Sequence, residues 1–370
     1  VTMQLRDLTT LRVGGPADEV LAPADEASLV AATLEVWASG EDWFVLGGGS
    51  NVVVSDEGFA GTVIRVVTRG IEALPGNGNA VRLRVQAGEP WDALVQFAVE
   101  NGLAGLEALS GIPGSSGAAP IQNIGAYGQE IASHLVAVHF LDYVTGELGR
   151  VEASALDLHY RSSAIKNGRR GVVVAIELEL ARTPGGLSEP IGYSQLALAL
   201  GRSVGDRVPL ADVRSAVLAL RASKGMLLDD ADPDSVSAGS FFTNPIVSER
   251  FAGTLPLDAP RWPVSPDSST PMVRPLDTFD PADVPVIRSA ADRRVKLSAA
   301  WLIEHSGVTR GFRLPGSRAA VSGKHTLAIV NTGAATATEI AELARFIQSR
   351  VLSTFGVILA PEPVFVGAFE

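Results

Sequence analysis

Apolar residues recur along this chain in two periods, and the periods predict the elements. A three-to-four spacing predicts helices. Asp25 stands ahead of Leu29, Val30, Leu34 and Trp37, and Gly40 closes the run, so a capped helix is expected there. Pro90 opens a second, with Trp91, Leu94, Val95 and Ala98 on one side and Gly102 beyond its end. Val213, Val217 and Leu220 predict a helix over residues 212–222, and another is expected to resume over 296–303. The clearest helix covers 336–354. Thr336 and Glu339 have the spacing of a capping box, Ile340, Leu343, Phe346, Ile347 and Val351 make one face, and Gly356 ends it.

Alternating or unbroken β-branched runs predict strands at 44–46, 52–54, 82–85, 134–141 and 172–180. Residues 9–23 alternate around Gly14 and Gly15 and read as a strand with a tight turn. The tail, 357–367, reads as a strand interrupted by Pro361 and Pro363. Residues 184–192 form a loop leading to Tyr193. Residues 248–289 are rich in Pro and Asp, have no period, and read as an irregular excursion. There are no internal repeats.

Both periods fail over residues 111–131, GIPGSSGAAPIQNIGAYGQEI. Glycine permits close backbone approach at an entropic cost. A flexible linker has no use for the Ile112, Ile121, Ile124 and Tyr127 set among these glycines. The stretch therefore reads as a loop that lays its backbone against a flat or anionic ligand. A second cluster, GGGSN at 47–51, sits between two strand-like runs. Its free amides would make a nest for a pyrophosphate. It is neither a Walker loop nor a Rossmann fingerprint, because no Gly-Lys-Ser/Thr follows and no GxGxxG opens a helix. Taken alone, it is equally well a wide hairpin turn.

Composition narrows the classes. The 370 residues are 46% hydrophobic and 19% charged, which fits two or three globular domains. The net charge is −11 without a long basic run, which argues against nucleic acid as a partner. A small anionic ligand held by a few local Arg and Lys residues remains open. The absence of cysteine excludes disulfides, cysteine zinc sites, thiol catalysis and cysteinyl flavin linkage. His134, His139, His159, His305 and His325 are scattered, so no metal site is expected. No apolar run is long enough for a membrane span and no signal peptide is evident in residues 1–18. A cytoplasmic enzyme is expected.

Three residues are candidates for chemistry. Arg161, between Tyr160 and Ser162–Ser163 and close to Lys166, suits a carboxylate clamp, unless the loop is simply a solvated basic one. Ser240, in AGSFF, is not on a nucleophile elbow, because no Gly follows two residues on. Its hydroxyl can still donate a proton, or merely cap. Glu362, between two prolines and apolar neighbours, suits an acid of raised pKa or, more plainly, a strand-edge charge.

Seven motifs then occur in order: LRVGGPADEV (11–20), VLGGGSNVVVSDEGF (45–59), the glycine loop, YRSSAIKNG (160–168), AGSFFTNP (238–245), AAVSGKHTLAIVN (319–331) and LAPEPVFVG (359–367). The set, which spans nearly the whole chain, resembles the bacterial UDP-N-acetylenolpyruvoylglucosamine reductases. The resemblance implies an α+β flavoenzyme in three parts. Residues 1–69 with 355–370, and residues 70–207, would form an FAD-binding domain of the vanillyl-alcohol-oxidase type. Residues 208–354 would form a separate substrate-binding α/β domain.

The resemblance also implies FAD, reduction by NADPH, and hydride transfer to the enolpyruvyl ether of a UDP-sugar, giving UDP-N-acetylmuramate. Gly47, Gly48, Gly49, Ser50 and Asn51, with Leu46, would hold the FAD pyrophosphate. Ile112, Pro113, Gly114, Ser115, Gly117 and Ala118 would line the cofactor, as would Gln122, Asn123, Gly125, Ala126 and Tyr127. Arg161 would bind the substrate carboxylate and stabilise developing charge. Ser240 would donate the proton and Glu362 would assist as a second acid. Arg221 and Lys224 would meet the UDP phosphates, with Asn244 and His325 near the nucleotide sugar. Tyr193 falls where the loop-bearing subtype carries a lid tyrosine. A monomer is expected, without nucleic acid, membrane insertion or metal. Ile165 and Ala360 depart from the phenylalanine and acidic residue of many members, which implies altered packing. Two other readings stand beside this one. An oxidase of the same fold often carries covalent flavin, yet cysteine is absent and no His falls in the glycine loops. A silent nucleotide binder would not require Arg161, Ser240 and Glu362 together.

Overall fold

The computed structural model describes residues 3–75, 78–264 and 293–369. Strand β1 (Ala17–Leu21) leads to helix α1 (Glu26–Ser39). The Asp25 carboxylate accepts from the Ser28 amide at 2.8 Å, and Gly40 closes the helix in the left-handed conformation. Then come β2 (Trp43–Leu46), β3 (Val52–Val54) and β4 (Phe59–Arg65). β4 lies between β1 and β2 and is parallel to both. β3 pairs instead with the tail segment Val364–Val366, also in parallel. The glycines at 47–51 therefore join strands of different sheets, and the hairpin reading of GGGSN fails.

An antiparallel sheet follows, built from β5 (Ile71–Leu74), β6 (Ala80–Gln86), β7 (Leu103–Ala104), and, after the short pair β8 (Gly125–Ala126) and β9 (Gln129–Glu130), from β10 (Leu135–Asp142), β11 (Leu148–Glu152) and β12 (Gly171–Arg182). Its order is β11-β10-β12-β6-β5, with β7 also on β12. Helix α2 (Trp91–Glu100) lies between β6 and β7 in sequence. Leu29 and Val36 of α1 and Trp91, Leu94 and Val95 of α2 share one buried core with Leu83, Val138, Phe140 and Ile176 of the sheet. Helices α3 (Ser194–Ala199) and α4 (Leu210–Ser223) form a small core through Leu196, Val213 and Val217.

The remaining elements are β13 (Ser237–Ser240), β14 (Ile246–Ser248), α5 (Glu249–Ala252), β15 (Arg261–Val264), β16 (Arg294–Leu297), α6 (Ala299–His305), β17 (Ala319–Val321), β18 (Ala328–Asn331), α7 (Ala337–Phe355) and β19 (Val364–Val366). Two expectations change here. The helix expected from Lys296 begins at Ala299, because Ser298 caps it and Lys296 belongs to β16, the middle strand between β14 and β15. The start of the 248–289 excursion is ordered as α5 and β15; its residues 265–289 lie outside the described residues. Ile340, Leu343, Ile347 and Val351 of α7 share a core with Phe241, Phe242, Leu302 and Ile329, joined by Leu11, Val13 and Val53 from the start of the chain.

Helix α7 carries the expected capping box, with Thr336 accepting from Glu339 N. A second cap comes from Asp56, whose carboxylate accepts from the amides of Ala337 at 2.7 Å and Thr338 at 2.9 Å. Removing a cap of this kind costs about 1 kcal/mol. Asp56→Ala is therefore expected to lower the urea midpoint by that equivalent without altering cofactor content. A wild-type midpoint would show that the box alone suffices.

Candidate active site

The two glycine loops meet face to face. A Cβ on Gly48 would stand 2.6 Å from Gly114 Cα, and one on Gly47 would stand 2.4 Å from Ser115 Oγ. Ser50 Oγ locks the loops together by donating to Pro113 O at 3.0 Å. Gly117 fits against Ala87, where a Cβ would come within 2.4 Å of the alanine Cβ. Among the described residues, no acceptor takes the amides of Gly47, Gly48, Gly114 or Ser115. Close-set free amides of this kind bind oxygen anions. A diphosphate fits the donor set, and only backbone with very small side chains fits the space.

These loops border a largely apolar cavity of about 410 Å³. Leu46, Gly47, Gly48, Gly49, Ser50 and Asn51 line it, as do Ile112, Pro113, Gly114, Ser115, Gly117 and Ala118, and then Gln122 and Gly125. Asn51 Nδ2 donates to Gln122 Oε1 at 2.9 Å and to Glu362 O at 3.2 Å, which ties the first loop to the second and to the tail. Asn123, Ala126 and Tyr127 do not line this cavity. The buried Asn123 side chain instead donates to His159 O and accepts from Ala132 N, which fastens the glycine loop to the segments beside it. Ile165 and Lys166, from the YRSSAIKNG motif, also line the cavity, as do Val66, Ala87, Val173 and Met226, which fall in none of the seven motifs. In the sequence, Lys166 stands out as the cation near Arg161, and Ile165 as a departure from the phenylalanine of many members.

Arg161, Ser240 and Glu362 come together on the same cavity, although they lie on three separate stretches of chain. Arg161 sits at φ 54°, a conformation non-glycine residues seldom adopt outside strained functional turns. Its Nη1 and Nη2 donate to Asn123 O and Gly125 O, and its Nε lies 3.4 Å from Glu362 Oε1. Among the described residues, no acceptor takes the second N–H of either Nη. Glu362 is brought back by the pairing of β19 with β3, and its amide donates to Phe241 O next to Ser240. Burial pushes the Glu362 carboxyl up, while Arg161 and Lys166 oppose the rise. Ser240 ends β13 after Gly239, whose φ of 72° turns the chain there. Its Oγ lies 3.5 Å from His325 Nε2. Burial, then Lys224 and Arg310, hold the His325 imidazole down to about 4, so it is neutral at pH 7.

Arg221 lines the cavity and is buried, with Nε donating to Gly111 O and Nη2 to Met226 O. Lys224, Tyr193 and Asn244 stand outside that lining. Lys224 Nζ donates to Gln195 and lies 5.6 Å from the Tyr127 ring, which meets Tyr193 edge-on at 5.9 Å. Asn244 accepts from Ala299 N and borders a second, more open cavity shared with Tyr160, Arg161 and Lys166.

An α+β fold whose two glycine loops offer free amides beside an apolar cavity is that of a dinucleotide-binding protein, and residues 17–152 match the family described as FAD binding domain. Residues 232–366 match the UDP-N-acetylenolpyruvoylglucosamine reductase, C-terminal domain. Proteins named UDP-N-acetylenolpyruvoylglucosamine reductase from Leifsonia xyli and Saccharopolyspora erythraea are 59% and 47% identical to this chain, covering 98% and 97% of it and 98% and 93% of their own lengths. The crystal structure of UDP-N-acetylenolpyruvylglucosamine reductase (MurB) from Thermus caldophilus superposes with a TM-score of 0.63 at 26% identity, covering 99% of this chain and 98% of that one. The chain belongs to the UDP-N-acetylenolpyruvoylglucosamine reductase family.

Proposed function

We infer that this protein is an FAD-dependent enzyme that uses NADPH to reduce UDP-N-acetylenolpyruvoylglucosamine to UDP-N-acetylmuramate, a step in making peptidoglycan precursors. The observation that carries the reading is the convergence of Arg161, Ser240 and Glu362 on a cavity whose other wall is the backbone cradle. FAD, when bound, would supply the hydride chemistry between NADPH and the enolpyruvyl double bond. The chain's own residues do the rest. The free amides of Gly47, Gly48, Gly114 and Ser115 hold the diphosphate of the cofactor. Arg161, with two free N–H groups on a fixed guanidinium, grips the enolpyruvyl carboxylate and stabilises the charge that builds up beside it. Ser240 delivers the proton that completes the reduction, and neutral His325 partners its hydroxyl without adding charge. Glu362, its carboxyl pushed up by burial against the pull of Arg161 and Lys166, is the second acid.

Arg221 and Lys224 are the cations offered to the UDP phosphates, with Asn244 and His325 toward the sugar. Tyr193, 45% exposed and edged against Tyr127, is the lid over this end, as in the loop-bearing subtype. Tyr193→Ala is expected to raise KM for the UDP-sugar about tenfold with little change in flavin reduction by NADPH, measured by steady-state and stopped-flow kinetics. An unchanged KM would remove the lid. The three-part division at 1–69 with 355–370, 70–207 and 208–354 is kept as the functional division. The chain is expected to act as a monomer in the cytoplasm; light scattering tests the first. Among the described residues no helix is long and apolar enough to cross a membrane.

Absorbance tests the whole reading. A flavin spectrum that bleaches with NADPH and returns anaerobically on adding the enolpyruvyl substrate supports both half-reactions. Reoxidation by oxygen alone would favour an oxidase. No bound flavin after incubation with FAD would defeat the cofactor assignment.

A further inference from the structure

We propose that Lys166 is a positioning residue of this site, its ammonium holding Arg161 in the left-handed turn and standing as a second cation beside Glu362. The inference rests on the reading that Arg161 and Glu362 serve the reduction. His159 and Ser162 exchange backbone hydrogen bonds of 3.1 Å, so Tyr160 and Arg161 are the two central residues of a tight turn. Arg161, at φ 54°, occupies a position that glycine or asparagine fills with least strain. Among the described donors, only Lys166 reaches its carbonyl, with Nζ at 3.1 Å. Lys166 is itself placed by Ser163. The buried Ser163 hydroxyl donates to Ile121 O at 2.5 Å and accepts from Lys166 N at 3.1 Å. The turn that aims the guanidinium is thereby fastened to the glycine loop at one end and to the Lys166 ammonium at the other.

Lys166 borders both the cofactor cavity and the second cavity beside Tyr160 and Asn244, so it stands where the two spaces meet. The charged and titratable groups around Glu362 are Arg161, Lys166 and Tyr160. Burial raises the Glu362 carboxyl and the two cations lower it. Removing Lys166 therefore raises it further. An acid donates only while it holds its proton, so turnover falls as pH rises through the Glu362 pKa. Without Lys166 that falling limb moves to higher pH. The substrate carboxylate also meets a less firmly held Arg161. NADPH carries no carboxylate at its reacting end, so its half-reaction is spared.

The test is stopped-flow kinetics on FAD-loaded wild type, Lys166→Met and Lys166→Arg, from about pH 6 to pH 10. Lys166→Met is expected to raise KM for the enolpyruvyl substrate about tenfold and to move the falling limb of flavin reoxidation up by about one pH unit. Its reduction by NADPH stays within about twofold of wild type, and Lys166→Arg restores the limb. A limb and KM at wild-type values overturn the proposal. So does equal slowing of both half-reactions, which would make Lys166 mere scaffold. Wild type that is not reoxidised by the enolpyruvyl substrate would defeat the functional reading itself, and the proposal with it.

Discussion

Ser240→Ala is expected to lower kcat about a thousandfold while leaving reduction of the bound flavin by NADPH within about twofold, because general acid catalysis contributes 10²–10⁴-fold and only the second half-reaction needs this proton. The expectation follows from place more than from acidity. A serine hydroxyl is a weak acid in water. Here it sits at the end of β13, facing the cavity, with a neutral imidazole at 3.5 Å and the Glu362 segment bonded to the next residue's carbonyl. The His325 imidazole is held to about 4 by burial, so across the neutral range it can share a proton with Ser240 and carry no charge of its own. The substitution removes one oxygen and disturbs no backbone bond, so the fold should persist. Ser240→Cys is expected to recover part of the loss, since a thiol also donates. A kcat within about threefold of wild type would assign the proton to another group, with Glu362 the next to examine.

The sequence showed the cradle more clearly than the reacting end, and the physical reason is locality. A strand that opens into GGGSN, and a glycine loop that carries isoleucines, are short-range patterns set by backbone conformation alone. So are the caps: Asp25, Thr336 with Glu339, and the left-handed Gly40 and Gly356 all stand where periodicity and capping chemistry put them. What locality could not give was facing. The resemblance puts Asn123 on the cofactor, but its amide donates to His159 O and accepts from Ala132 N, tying the glycine loop to the turn that carries Arg161. Conversely, Val66 and Val173 line the cavity although the sequence marks Val66 in no way and Val173 only as a strand residue.

The misplaced helix start has a similar cause. RVKLS suits a strand by alternation and a helix by composition, and its pairing with both β14 and β15 decides the matter. β15 was hidden because Pro263 interrupts it, which an edge strand tolerates. The return of Glu362 depends on β19 pairing with β3, some 310 residues earlier in the chain by the numbering of Val364 and Val52. No local pattern encodes that contact. The motif order made it an expectation through resemblance, and the parallel ladder supplies its physical basis.

Gly48→Ala is expected to weaken FAD binding by about a hundredfold or more, giving protein that purifies largely without flavin. The argument is steric and does not depend on backbone strain, since Gly48 is not among the residues of positive φ. Its added Cβ would stand 2.6 Å from Gly114 Cα and 2.9 Å from Gly114 C. Both are backbone atoms that cannot swing aside as a side-chain tip can. Relief requires the two glycine loops to part, and parting them separates the Gly47 and Gly48 amides from those of Gly114 and Ser115. The cradle then loses the close spacing that lets four neutral dipoles act on one diphosphate. Ser50 would also lose its hold on Pro113 O. Gly149→Ala serves as the control, because nothing lies within 4 Å of its would-be Cβ. The measurement is fluorescence titration of the apoproteins with FAD, beside circular dichroism to confirm that both fold. Normal flavin affinity in a folded Gly48→Ala variant would mean that the loops can separate without releasing the diphosphate, and the cradle would then lie elsewhere along the cavity.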